Sequence, residues 1–470
     1  MFKLTIEQQQ IIYCNQTHIY VSARAGTGKT TTLIYFAKQR KNETIIYIVY
    51  NNSNKEYAIQ KFPPNVVIHT AHSLAYQYIG IKYKDKLKNN LKVEDIFKSI
   101  SYFKDKSLED KEYYKLVLTI LNLINSYCIS DKNSIEEIND NKFLTDMASE
   151  YWNKMIDIQN KEVYISQDGY LKLFQLSKPE LNFDWIMVDE AQDSNEAMLD
   201  IIYTQNSSKI FVGDPEQKIY GFRGALNIFE YTKYLSKSED KAFLNLTESF
   251  RFGEEIASVA NELLITYRNG KNLIKGNSER DSIVGELDYS MPYTIITRTN
   301  AKLIDLAIQH SINGKKISVI GGIDSTIKSI LDGYWLYKGR HDLIKNEYFK
   351  TFKNYFHLKT LAETLHIAEY ALLIYLIEKY GDSLLGWIEL LKRNHTSSKL
   401  ADITLTTAHK SKGLEFVSVV LENDFVQLFD KNGKLNELVD KEEINLLYVA
   451  ATRATHELEL NEELKKLMER

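Results

Sequence analysis

The segment Ala23-Arg-Ala-Gly-Thr-Gly-Lys-Thr30 sets two glycines, a lysine and a threonine where an apolar stretch, His18 to Ser22, gives way to a helix starting at Lys29. Gly26 and Gly28 let backbone N–H groups close around phosphate oxygens. Lys29 supplies a point charge to the β- and γ-phosphates, and the Thr30 hydroxyl can hold Mg²⁺. Ala25, Thr27 and Thr31 complete the cradle. Ala23 stands where the general pattern has glycine. Hydrolysis needs an acidic half as well, and Asp189-Glu190-Ala-Gln-Asp193 supplies one at the end of the apolar run Trp185 to Val188. Asp189 can bind the Mg²⁺, and Glu190 beside it can polarise the attacking water. The two segments together imply an ATPase.

Such groups work only when a rigid frame holds them. Residues 1 to about 75 alternate apolar runs (Ile45 to Tyr50, Val66 to His69) with helical stretches, the βαβ rhythm of a parallel sheet. Residues 80 to 165 are helical and rich in Lys, Asp and Glu, which reads as an insertion, and the strand rhythm returns at Phe183. A second strand-rich region opens near Tyr293, turns helical over 330 to 397 and resumes at Ile403. At 470 residues, two to four domains are expected. Hydrophobic residues make up 44% and charged residues 26%, a globular balance without an apolar run of membrane-spanning length. The start, MFKLTIEQQQ, lacks the basic and apolar regions of a signal peptide. Cys14 and Cys128 have no metal-ligand spacing and read as thiols of a reducing compartment. A formal charge of −4 neither announces nor excludes nucleic acid, because a basic groove can sit on an acidic body. Most of the 31 Tyr and 20 Phe are expected to pack cores, so position decides which few could stack on bases.

Further segments follow in a fixed order: Leu4-Thr-Ile-Glu-Gln8, Tyr50-Asn51, Thr70-Ala-His-Ser73, Gly213 to Ala225 (GDPEQKIYGFRGA), Leu246 to Arg251 (LTESFR), Arg298-Thr-Asn300, Gly321-Gly322, Thr407 to Phe416 (TAHKSKGLEF) and Glu442 to Ala454 (EEINLLYVAATRA). In this order they resemble the Q motif, motifs Ia, Ib, III and IV, the stretches after IV, and motifs V and VI of UvrD-like superfamily 1 helicases. The phrases FPPNVVIHTAHSLAY, DGYLKLFQLSKP and KIFVGDPEQKIYGFRGA are most similar to the F-box DNA helicase branch. No F-box is expected ahead of the motor, since the Q motif begins at Leu4.

The resemblance implies an α/β fold of two RecA-like P-loop NTPase domains. Residues 1–78 and 179–250 would form domain 1A, 251–330 and 398–470 domain 2A, with helical insertions 1B (79–178) and a short 2B (331–397). It implies an ATP-dependent helicase moving 3′ to 5′ on single-stranded DNA or at single-strand/duplex junctions, in repair or recombination. Alternatives are an ATPase that strips protein from DNA, or the motor of a nuclease–helicase complex in phage defence, with a nuclease as partner. The compartment would be the cytoplasm of a bacterial or phage-like source, or a eukaryotic nucleus; no membrane is implied. Gln8 would read adenine and Phe250 stack on it. Glu415 would accept a ribose hydroxyl and Gln217 would sense the γ-phosphate. Arg251 and Arg453 would be arginine fingers. Tyr50, Tyr220, Phe222 and His409 would face the DNA strand, while Asn51, Thr70, His72, Ser73, Arg298, Thr299 and Asn300 would line its backbone. Phe222 stands where many relatives carry Trp. Asn445 departs from a basic position, and Asn52 and Ser53 depart from the usual Lys or Arg.

Overall fold

The computed structural model describes residues 4–108, 110–221, 224–230, 240–365 and 368–470, with side chains omitted at 53, 347, 348, 364, 365, 368 and 369. Phe222 therefore lies outside the described residues. The chain divides into two compact units, Met1–Glu248 and Ser249–Arg470.

In the first unit, strands β1 (His18–Ala23), β2 (Ile45–Val49), β3 (Val66–Thr70), β4 (Trp185–Val188), β5 (Ser208–Gly213) and β6 (Lys241–Leu246) form one sheet in the order β3-β2-β4-β5-β1-β6. All its pairings are parallel. Every residue of β2 and β4 is buried, which explains why these strands read as unbroken apolar runs: helices cover both faces of a parallel sheet. Around them lie α1 (Ile6–Ile12), α2 (Lys29–Gln39), α3 (Asn52–Lys61) and α4 (Ala71–Tyr78). The insertion holds α5 (Val93–Ser99), α6 (Lys111–Ile129), α7 (Lys142–Ile156) and α8 (Gln167–Leu176), and α9 (Glu196–Tyr203) follows β4. One core packs Ile11, Leu33, Phe36 and Ala37 against alternate strand residues Val21, Tyr47, Val49, Met187 and Val212. That alternation fixes which side chains share the face of α2.

The second unit repeats the plan. Strands β7 (Ile283–Val284), β8 (Tyr293–Thr297), β9 (Ile317–Val319), β10 (Ile403–Thr407), β11 (Phe416–Leu421) and β12 (Ala454–Glu459) form a parallel sheet in the order β7-β12-β11-β8-β10-β9. Its helices begin with α10 (Glu254–Tyr267) and α11 (Asn300–Ile312). The insertion contains α12 (Asp324–Tyr337), α13 (Glu347–Thr351), α14 (Tyr355–Leu365), α15 (Ala368–Tyr380) and α16 (Leu384–Asn394). Last come α17 (Ala408–Ser411), α18 (Lys441–Ala451) and α19 (Glu462–Met468). Residue 331, the expected start of this insertion, falls inside α12. The insertion is pinned to α11 at Asp305, which takes bonds from Lys379 Nζ at 2.6 and 2.7 Å and from the Tyr380 hydroxyl at 2.6 Å.

Candidate nucleotide site and nucleic-acid interface

Strand register brings the chemistry of the first unit to one edge. Val188 pairs with Ile48 and Phe211, Ser22 pairs with Gly213, and Ala23 pairs with Leu246. The loops leaving β1, β2, β4 and β5 therefore emerge together at the carboxyl ends, where open parallel sheets bind ligands.

The phosphate loop is shaped by its glycines. Gly26 and Gly28 have φ of 73° and 74°, a left-handed conformation open to glycine at little cost. The Thr27 hydroxyl turns back to donate to the Arg24 carbonyl at 2.8 Å, tightening the turn. No side chain caps the start of α2, so its first N–H groups are left for a ligand. Lys29 Nζ lies 3.2 Å from Glu190 Oε1. Burial alone would depress its pKa, but Glu190, Asp189 and Asp214 outweigh burial, and the ammonium is held charged. Ala25 is buried, and Thr30 and Thr31 are partly exposed at the first turn of the helix. Gln8 is fully buried: its amide donates to Thr32 Oγ1 at 3.2 Å, and its Oε1 accepts from Thr5 N at 3.1 Å. The structure thus ties it to the phosphate-loop helix and to the start of its own helix.

Asp189 is held on both oxygens. The Tyr47 hydroxyl donates to Oδ2 at 2.6 Å, and Glu190 N donates to Oδ1 at 2.9 Å. Burial first, then the neighbouring Glu190 carboxylate, raises its pKa, while Lys29 opposes them. Among the described residues no group of three or more His, Cys, Asp or Glu could hold a metal. One carboxylate beside one hydroxyl, Asp189 and Thr30, instead fits Mg²⁺, which takes few protein oxygens and completes its shell with phosphates and water.

Glu190 adopts φ 49° and ψ 44°, left-handed for a residue with a Cβ. A conformation of this kind costs about 1–3 kcal/mol and persists only where its surroundings impose it. The fully buried Gln192 is one source of that constraint. Its amide donates to Glu190 Oε2 at 2.6 Å, and its Oε1 accepts from Asp214 N at 3.1 Å. Gly213 makes this possible, because a Cβ there would stand 2.2 Å from Gln192 Oε1. Asp214 in turn accepts from Gln217 Nε2 at 2.8 Å and pairs with Arg24 at 3.3 Å, with Glu216 3.6 Å from the same guanidinium nitrogen. One chain of contacts therefore runs from the candidate base through Gln192 and Asp214 to Gln217. Just beyond Gln217 the same loop reaches Tyr220, whose ring stacks on Tyr50 with centroids 5.4 Å apart and planes 18° apart.

The remaining strand-facing candidates of this unit form local caps. Asn51 caps α3, accepting from Asn54 N at 2.8 Å. Thr70 and Ser73 cap α4 reciprocally: Ser73 N donates to Thr70 Oγ1 at 3.0 Å and Thr70 N to Ser73 Oγ at 2.9 Å. His72 Nε2 lies 2.8 Å from Asp168 Oδ1 on α8. Lys55, which no motif marks, reaches Ser73 Oγ at 3.4 Å. It places a cation one helical turn beyond Asn52, where the motif lacks its basic residue. Tyr47, Arg24 and Gln192 also belong to the site without standing out in the sequence, since an all-apolar strand and two motif interiors give no separate signal.

In the second unit, three motifs meet at two arginines. Arg251 Nε donates to Glu415 Oε1 at 2.8 Å and its Nη1 to the Thr452 carbonyl at 2.9 Å. Arg453 is buried, with Nε on the Val449 carbonyl at 2.9 Å and Nη1 on the Leu414 carbonyl at 3.3 Å. Phe250 is partly buried beside Arg251, and Asn445 is buried on α18. Arg298 grips Glu443 at 2.6 and 2.8 Å. Thr299 caps α11, and its hydroxyl donates to Asp424 at 2.8 Å. Asn300 is exposed at the start of α11 and His409 is partly buried on α17.

The UvrD/REP helicase N-terminal domain matches residues 4–239, half of the chain, and the UvrD-like helicase C-terminal domain matches residues 402–460. The chain belongs to the UvrD/REP helicase family. Its two parallel sheets are accordingly those of two RecA-like domains. It is 30% identical to F-box DNA helicase 1 of Gallus gallus over 99% of this chain and 50% of that protein. It is 33% identical to F-box DNA helicase protein 1 of Schizosaccharomyces pombe over 99% of this chain and 58% of that protein. A probable DNA helicase of Mycoplasma pneumoniae is 23% identical over 97% of this chain and 82% of that protein. This UvrD-like chain thus spans between 50% and 58% of the length of its F-box helicase relatives. No described helix is long and apolar enough to cross a membrane.

Proposed function

We propose that this chain is the motor of an ATP-dependent DNA helicase, translocating 3′ to 5′ on single-stranded DNA in repair or recombination. The observation that carries the reading is the continuous path Lys29–Glu190–Gln192–Asp214–Gln217, whose last residue shares a loop with Tyr220, stacked on Tyr50. The N–H groups of residues 26–31 and the Lys29 ammonium bind the phosphates. Thr30 and Asp189 would hold Mg²⁺, which when bound would neutralise charge on the phosphate oxygens. Glu190 accepts a proton from the attacking water, in the orientation that Gln192 fixes. Gln217 senses the γ-phosphate, and Arg251 and Arg453 stabilise the charge of the transferring group. Tyr50 and Tyr220 offer π-faces to bases, at about 1–3 kcal/mol per stacked base. The substrates are single strands and single-strand/duplex junctions, and a nuclease is the candidate protein partner.

The test is streptavidin displacement from single strands biotinylated at either end, with ATPase measured in parallel. The proposal requires DNA-stimulated turnover and ATP-dependent release from the 5′ end, both lost in Lys29→Ala. Release from the 3′ end alone would reverse the polarity. DNA-stimulated turnover with no strand separation on a tailed duplex would favour removal of bound protein over unwinding.

A further inference from the structure

β2 reads as five apolar residues, yet one of them carries a hydroxyl to a charged group. Tyr47 shares a sheet face with Val49 and Met187, packs in the core with Leu33 and Phe36 of α2, and sets its ring 4.5 Å from that of Phe62. A buried phenol must find a partner. A backbone carbonyl would satisfy a purely structural tyrosine. Here the partner is Asp189 Oδ2 at 2.6 Å.

We infer that Tyr47 is a positioning residue for the divalent cation that accompanies the nucleotide, fixing the plane of the Asp189 carboxylate from beneath the phosphate loop. The inference rests on the nucleotide reading proposed above. Tyr47 grips Oδ2 and Glu190 N grips Oδ1, so the carboxylate cannot rotate without breaking a bond. Each carboxylate oxygen has about two acceptor directions, so one donor apiece leaves capacity for a cation. A bond to an ionised acceptor is roughly twice as strong as a neutral one. Tyr47 therefore fixes the carboxylate assigned to the metal at the exit of β4. Partners that orient metal ligands in this way change metal affinity by about 10–100-fold when removed.

The experiment is equilibrium binding of mant-ADP to the full chain, in EDTA and across a Mg²⁺ series, for wild type, Tyr47→Phe and Asp189→Asn. Tyr47→Phe retains the ring and its packing. Its metal-free affinity should stay within about twofold of wild type, while the Mg²⁺ midpoint rises at least about tenfold. Asp189→Asn should abolish the Mg²⁺ dependence. An unchanged Mg²⁺ midpoint in Tyr47→Phe overturns the inference and leaves the nucleotide reading intact. A lower melting temperature with equal weakening in EDTA and in Mg²⁺ also overturns it, reducing Tyr47 to a structural residue. A wild-type chain that binds no mant-ADP overturns the nucleotide reading and this inference together.

Discussion

At the carboxyl edge of the first sheet, each carboxylate accepts from at least one neutral donor. Asp189 has a phenol and a backbone N–H, Glu190 has the Gln192 amide beside Lys29, and Asp214 has the Gln217 amide beside Arg24. In the second unit the cations are already matched, Arg298 just past the carboxyl end of β8 and Arg251 and Arg453 beside the amino ends of β11 and β12. Arg298 is locked on Glu443, Arg251 on Glu415 and Arg453 on backbone carbonyls. Asp189, oriented by neutral donors alone, keeps acceptor directions for an incoming cation. A guanidinium already bonded to a carboxylate must share or exchange partners before it can act on a phosphate. The carboxylates of the first unit are thus fixed in place, whereas the guanidiniums of the second are taken up by partners within their own unit.

The sharpest way to break this contrast is Arg251→Ala. An arginine finger contributes about 10³–10⁵ in rate, so turnover at saturating ATP should fall by about three orders of magnitude or more while ATP affinity changes little. Stopped-flow hydrolysis reads both. A near-normal rate would make Arg251 only the partner of Glu415 and the Thr452 carbonyl.

Gly213→Ala attacks the first edge without touching a charge. Its Cβ would collide with Gln192 Oε1 at 2.2 Å and crowd Ala191 N at 2.9 Å. Overpacking of this kind costs about 1–3 kcal/mol. Chemical denaturation should show that loss, together with slower hydrolysis. A variant as stable and active as wild type would mean that the Gln192 bridge is not needed.

The motif loops were largely legible in the sequence because their chemistry demands particular residues: only glycine sits easily at 26 and 28, and only a short run such as Trp185–Val188 can end on Asp189 inside a sheet. Tyr47 was not legible, since in an apolar run a tyrosine reads as core until its hydroxyl is seen to reach Asp189. Thr70 and Ser73 show a second use of the same chemistry. Hydroxyls suited to phosphate are equally suited to a helix start, and here they cap α4. β7 escaped notice because its two residues carry no periodicity.

A smaller effect separates the units by pH. On α8, burial presses the Lys172 ammonium down to about 8, its bonds going to the carbonyls of Ser130 and Lys132. Its folded pKa lies below the unfolded value, so the unfolded chain binds the extra proton and stability rises as pH climbs from 8 toward 10.5. Lys379, bonded to Asp305, is shifted upward, so its contribution is full below the ordinary lysine value and is lost only above it. Between about pH 8 and pH 10, Lys172→Met should remove an upward slope in unfolding free energy, whereas Lys379→Met should lower stability equally at both ends. Parallel slopes in the two variants would refute the distinction.

The proposed coupling depends most on the bridge from Glu190 to Asp214, because it joins the loop after β4 to the loop that carries Tyr220. The direct measurement is the ratio of ATP turnover with and without saturating single-stranded DNA in Gln192→Met, which fills similar volume but has no amide. Taking the ratio cancels any loss of intrinsic rate from Glu190. If the bridge couples the two, the ratio collapses toward one while mant-ADP and DNA affinities, measured separately, stay within about threefold of wild type, since neither binding surface is touched. A stimulation ratio equal to that of the wild-type chain would contradict that coupling.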